Sequence, residues 1–248
     1  MKNILGSSPV TEDSEWVSVS DLMAGLMVIF LFIAVVYLRP LVEAKEQAIQ
    51  DKEVLTNTQD TIKQIVVAWH DSEVSIYEAL EAEFKDDLET WNAELEQETL
   101  TLRFKAPEVL FRSNEASLRP EFRRILADFF PRYMTVLNRF QDTIEEIRIE
   151  GHTSSEWGRG TPKSEAYFNN MALSQERTRA VLEYSIMLTA VRPFREWAFK
   201  HVTANGLSSS HTIQTETGFE NARASRRVEF RVRTTTKDQI IKVIETIQ

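Results

Sequence analysis

The chain has 248 residues, a formal net charge of −9 and 42% hydrophobic residues, a length that suits one domain with extensions or two modest domains. The acidic balance argues against a general binder of the nucleic-acid backbone, whose electrostatic footprint is basic. There is no cysteine, and His70, His152, His201 and His211 are scattered without metal-ligand spacing, so disulfides, thiolate metal sites, a zinc enzyme and a bound cofactor are not expected.

Residues 1–15 are short and polar. They lead into WVSVSDLMAGLMVIFLFIAVVYL, residues 16–38, which is apolar almost throughout. As a helix this stretch spans roughly 34 Å, enough to cross a hydrocarbon core of about 30 Å. It is too long for the apolar core of a signal peptide, and Arg39, Pro40 and a charged pattern follow it instead of a small-residue cleavage site. The expectation is an uncleaved single membrane span. Charge bias is a weak guide to its orientation: Lys2 stands against Glu12, Asp13 and Glu15 before the span, with Arg39 and Lys45 after it, which leans away from a cytoplasmic N-terminus.

One acid, Asp21, interrupts this span. A membrane acid costs about 2.5–3.5 kcal/mol near a helix centre, less near an end, and such acids are usually functional. On a helix Ser18, Asp21, Ala24 and Gly25 share one small, partly polar face, which allows close approach of another helix. Leu22, Met23, Leu26, Ile29, Phe30 and Ile33 are bulky and apolar. The plainer alternative is an interfacial aspartate that caps a helix one turn beyond Trp16.

Residues 39–97 form the expected helical connector. From Leu41 to Leu95 there is neither glycine nor proline. Apolar residues recur at loose helical spacing, first Ile62, Ile65, Val66 and Trp69, then Ile76, Leu80, Phe84, Leu88 and Trp91. A break near Asn57 or His70–Ser72, and pairing with a second copy, are both open, as is a lone solvated spacer.

From Glu98 the pattern changes. TLTLRF (99–104) alternates like a half-buried strand, and residues 119–140 read as a helix with Pro120 in its first turn and a bend at Pro131. IEEIRIEG, ending at Gly151, is a second strand and residues 167–188 a second helix. A strand ending at Gly206 follows, and SRRVEFRVRT closes with clear alternation. The order β-α-β-α-β-β predicts an α+β sandwich over residues 98–248, helices on one side of a mixed sheet.

VLFRSNEASLRPEF, IRIEGHTS, NMALSQERTRAV and ASRRVEFRV, in this order and spacing, resemble the OmpA-like peptidoglycan-binding domain over roughly residues 98–236. The resemblance implies a shallow polar pocket that holds the diaminopimelate group and neighbouring wall peptide. A zwitterionic end of this kind needs an arginine fork for its carboxylate and an acceptor for its ammonium. Arg177 matches the family's carboxylate-binding arginine and Asn170 the asparagine facing the same ligand. Asn169 and Leu173 lie on the same helix, Thr153 lies in the rim loop, and Arg226 or Arg227 supplies a further arginine. The family commonly places an aspartate where this chain has Ser154, so the ammonium end is expected to be weaker or differently tuned, with Glu156 a candidate for the missing charge.

A single span bearing one acid, a helical connector and an OmpA-like end is similar to MotB-type stator subunits. That resemblance implies a homodimer inside a ring of five larger multi-span subunits, with Asp21 carrying protons or sodium ions. It also implies the bacterial inner membrane, a cytoplasmic N-terminus, a periplasmic C-terminal domain and peptidoglycan as a partner. The leading segment lacks the basic cluster typical of the flagellar subunit. SDLMAGLMVIFLFI and GHTSSEW look closer to the MotB-like ZorB family of Zorya anti-phage defence systems, which assembles with a ZorA-type larger subunit and itself handles no nucleic acid. A flagellar stator subunit and a passive wall tether are the rival readings. No nucleophile–base pair is evident, and an enzyme is not expected.

Overall fold

The computed structural model describes residues 12–105, 110–112 and 114–235, and the side chains of 12–18, 68 and 69 are outside the description. Most of the expected leading segment (1–11), the side chains of Trp16, Ser18 and Trp69, and the end of the expected wall-binding domain (236–248) therefore lie outside the described residues. The chain divides into two units, Met1–Thr61 and Ile62–Gln248.

The first unit is helical over its described residues, within α1 (Glu12–Phe84). The helix begins at Glu12, four residues before the expected span, and runs on through Asn57 and His70–Ser72 without a break. Its apolar stretch is long and apolar enough to cross a membrane. The side chains there point outward with nothing over them: Leu22, Phe30 and Leu31 are each more than 60% exposed.

The second unit is built on a five-stranded sheet, in the order β1-β2-β5-β3-β4. The strands are β1 (Ala93–Glu96), β2 (Thr101–Phe104), β3 (Ile144–His152), β4 (Val202–Gly206) and β5 (Arg227–Thr234). Only β3 and β4 run parallel; all other neighbours are antiparallel. The helices are α2 (Pro120–Leu137), α3 (Lys163–Met187), α4 (Arg195–His201) and the short α5 (Ala222–Ser225). This is the expected α+β arrangement with one strand more. Pro120 opens α2, where its missing N–H costs no bond, and Pro131 lies inside α2 without ending it.

The core sits between the sheet and its helices. In β5, Val228, Phe230 and Val232 point inward, and α2 answers with Phe122, Leu126, Phe129, Phe130, Tyr133 and Met134, all buried. That spacing is the apolar stripe of an amphipathic helix. Phe129 lies 5.0 Å from Phe230 and 5.4 Å from Phe104, both edge-on, a favoured geometry for aromatic pairs.

The compact unit begins well before residue 98. Ile76, Leu80 and Phe84, one turn apart on α1, are fully buried in this core, and Trp91 is nearly so. Phe84 lies 5.3 Å from Phe129. Arg132 of α2 clamps the join: it donates to the Glu83 carboxylate at 2.7 Å and to the Glu83 carbonyl at 2.7 Å, and pairs with Asp87 at 2.9 Å. Residues 93–96, expected as helix, form β1 at the sheet edge, where Arg103 of β2 pairs with Glu94. The backbone turns there through Asn92, at φ 49°, which an asparagine tolerates well.

The crossover β3-α3-β4 sets the close geometry of the molecule. Gly151 and Gly206 are partners across the parallel pair and both face α3. A Cβ on Gly206 would stand 2.3 Å from the backbone nitrogen of Gln175, and one on Gly151 would stand 2.6 Å from Thr178 and 3.0 Å from the Ser174 carbonyl. The helix backbone can lie this low only over glycine. Thr178 can rotate away from Gly151, but the Gln175 nitrogen is fixed in the helix. Gly206→Ala is therefore expected to lift α3 and destabilise the chain by about 1–3 kcal/mol, read as a lowered midpoint in chemical denaturation; an unchanged midpoint would contradict this packing.

Candidate functional site

The end of β3, the following loop and one face of α3 enclose a cavity of about 540 Å³. Thr153 and Ser154, immediately after β3, form one wall and are almost fully buried. Asn170, Leu173 and Arg177, on successive turns of α3, form another wall; Phe111, Arg112, Asn114, Arg119 and Arg226 contribute to the rest. Asn169 is half-buried and is not part of the lining.

Each wall is tied in place. The Asn170 amide donates to the carbonyls of Ser154 (3.1 Å) and Glu156 (3.2 Å). Both of its N–H donors therefore hold the loop, and its carbonyl oxygen is what it can offer a ligand. Ser155 donates its backbone N–H (2.9 Å) and its hydroxyl to the Glu220 carboxylate, pinning the same loop from the other side. Below, Thr153 donates to the carbonyl of Ser208, whose own N–H reaches the Ser174 hydroxyl on α3.

Arg177 donates from Nε to the Glu115 carbonyl (2.9 Å) and from Nη2 to the Arg112 carbonyl (3.1 Å), and its guanidinium stacks over Phe111 at 4.8 Å. Of the five N–H donors of a guanidinium, these two are committed, and the rest remain for a ligand. No carboxylate pairs with Arg177 among the described residues. Burial and then the charge of Arg226 push it down to about 10, still well above neutrality, so it is a cation held where cations are uncomfortable.

Ser154 stands where the family resemblance places an aspartate, and its hydroxyl accepts from Arg226 Nη1 at 3.4 Å. A positive group thus occupies the side of the pocket where an ammonium acceptor was sought. Glu156 contributes to the lining with an exposed side chain and is the single acid among the described lining residues.

Arg227, next to Arg226, points to the opposite side of β5. It donates to Glu229 at 2.6 Å and to the carbonyls of His211 and Ser225. Glu229 also receives Arg103 at 2.6 Å, with His152 at 3.4 Å. Its burial opposes ionisation, but the nearby His152 ring and the charge and hydrogen bond of Arg227 outweigh it and hold the carboxyl far below its usual range. Glu150, His152 and Glu229 bring ligand atoms within 4.8 Å of one another. Three arginines, Arg103, Arg227 and Arg231, already share those carboxylates, so the charge balance is that of an ion-pair network and disfavours a metal.

Phe111, Arg112, Asn114, Arg119 and Trp157 also line the cavity. They fall inside motifs visible in the sequence, FRSNEASLRP and GHTSSEW, but no spacing rule separates pocket residues from scaffold within a loop. Asp21 lies on the other unit, exposed on α1.

No family model matches the chain. Among solved structures it is similar to a MotB-like protein from Desulfovibrio vulgaris, at 24% identity and a TM-score of 0.47 over 69% of this chain and 94% of that one. It is also similar to the cell wall anchor of the type VI secretion system from Pseudomonas aeruginosa, at 22% identity and a TM-score of 0.44 over 62% and 96% of the two chains. Among curated proteins, the Zorya protein ZorB of Escherichia coli (strain ATCC 8739) is 44% identical over 248 residues, covering 99% of this chain and 100% of the relative. At that identity over the full length of both proteins, the chain belongs to the ZorB family of Zorya proteins.

Proposed function

We propose that the chain is a peptidoglycan-anchored, ion-conducting stator-type subunit of a membrane motor in Zorya anti-phage defence. The observation that carries the wall-binding half is Arg177: a cation stripped of much of its water, held by two carbonyls, with no acid paired to it among the described residues and open N–H donors facing a polar cavity. Such a group is suited to a carboxylate. Peptidoglycan peptides carry carboxylates, and Leu173 and Thr153 line the cavity where the peptide beside them would lie. Ser154 sits with them as a neutral partner of Arg226 and Asn169 at the margin.

The apolar helix supplies the membrane half. In this reading α1 spans the inner membrane with its N-terminus in the cytoplasm and the sheet-bearing unit in the periplasm. Two copies sit inside five ZorA-type subunits, and Asp21 takes up and releases protons or sodium ions at the small face shared with Ala24 and Gly25. Anchoring to the wall then holds the subunit still while ion flow drives its larger partners. Membership of the ZorB family and a lone acid in a span of this length support the reading.

Asp21→Asn in the assembled complex is expected to abolish ion flux and phage protection while co-purification with the larger subunit persists; full protection by this variant removes Asp21 from ion transport. Arg177→Ala is expected to weaken binding of the full chain, in detergent, to peptidoglycan sacculi by about 10- to 100-fold, the range for losing a hydrogen-bonded charge. Arg177→Lys, which keeps the charge without the fork, should fall between. Undiminished pull-down of Arg177→Ala would take the pocket out of wall binding.

A further inference from the structure

The side chain of a second arginine in the same cavity makes no hydrogen bond or ion pair among the described residues. Arg119 immediately precedes α2 and lines the cavity. Its Nε is buried with no hydrogen-bond partner, and its guanidinium makes no hydrogen bond or ion pair among the described residues. A buried N–H left unmade costs about 1–3 kcal/mol, more when the group is charged. Arginines on the sheet and on α2 are paired with acids: Arg103, Arg227 and Arg231 with Glu229, Arg132 with Glu83 and Asp87. Uncompensated Arg119, Arg177 and Arg226 converge on one cavity against the single exposed acid Glu156.

We propose that Arg119 is a specificity-determining residue that binds a second carboxylate, so that the cavity selects a peptide by two carboxylates and does not read its free amine. The proposal rests on the wall-peptide reading of this pocket and narrows it. Two cations flank the space that one carboxylate bound to Arg177 would leave open. With Ser154 turned to Arg226, the position from which an ammonium could be held offers a hydroxyl already accepting from a guanidinium. An ammonium placed there would meet like charge, whereas a carboxylate would relieve it. The site therefore suits wall peptides whose side-chain amine is already consumed in a cross-link as well as those in which it is free.

The test is titration calorimetry of the full chain in detergent with the tripeptide L-Ala-γ-D-Glu-meso-diaminopimelate. Comparison forms carry an acetyl group on the distal amine, or an amide in place of each carboxylate in turn. Acetylation should change affinity by less than about threefold, and Glu156→Gln should be equally mild. Two of the amide forms should bind about tenfold or more weakly, the loss of one charge-assisted contact each. Arg119→Gln should erase the sensitivity to one of those two and leave the other, with Arg119→Lys retaining part of it. Because the Arg119 side chain makes no hydrogen bond or ion pair among the described residues, Arg119→Gln should melt with the parent protein, which separates recognition from stability. A tenfold loss on acetylation or in Glu156→Gln, or unchanged discrimination in Arg119→Gln, overturns the proposal while leaving wall binding intact. If the parent chain binds no form of the tripeptide and Arg177→Ala still binds sacculi normally, the wall-binding reading of this pocket fails, and the role of Arg119 fails with it.

Discussion

Much of the second unit depends on how closely α3 lies on the β3–β4 pair. Glycines at 151 and 206, partners in register, remove the two side chains that would hold the helix off. Dispersion and burial favour the close contact, and the absence of any Cβ makes it possible. The height of α3 sets where Asn170 and Arg177 stand relative to the loop that leaves β3. At that height the Asn170 amide reaches the carbonyls of Ser154 and Glu156, and Ser208 reaches Ser174. A helix lifted off the sheet would lengthen and weaken these ties.

Charge is handled in opposite ways on the two sides of β5. On the outer face, Glu229 gathers Arg103 and Arg227 at 2.6 Å each, and the acids and arginines balance one another. Breaking one partner of a buried network costs several kcal/mol because the others are stranded. At the cavity, Arg119, Arg177 and Arg226 have no acid partner among the described residues. The arginines at the sheet are balanced by acids while those lining the cavity are held by carbonyls, a hydroxyl or nothing among the described residues, and that asymmetry is a better pointer to the proposed site than the cavity's size.

Much of this was legible beforehand, for stated reasons. Alternation in 227–234 and the apolar spacing of 122–137 give β5 and α2 directly, because periods of 2 and 3.6 are imposed by the backbone. Arg177 and Asn170 followed from motif resemblance, which carries a residue's role but not its hydrogen bonds, so the use of the Asn170 amide to hold the loop could not be foreseen. β1 was missed because Ala93–Glu96 is four residues long, half-buried, at the sheet edge and continuous with a helix-like composition. The start of the compact unit was placed too late for a related reason: Ile76, Leu80 and Phe84 read as an amphipathic face, and sequence alone does not say whether such a face meets another copy or its own sheet. Arg119 does not stand out in the sequence, since an arginine before a helix-opening proline is ordinary until its place in the cavity and its unpaired Nε are seen.

The two units ask different things of one chain: an apolar stretch, residues 16–38, with a single acid, and a cavity lined by arginines that we propose takes a charged peptide. The account stands or falls on the occupant of that cavity. A structure of the full chain solved with the diaminopimelate tripeptide at saturating concentration tests it most directly. The account predicts a peptide carboxylate within about 3.2 Å of the Arg177 guanidinium, lying over Leu173 between the residue 153–156 loop and α3. Peptide bound elsewhere on the chain, with this cavity empty, would contradict it.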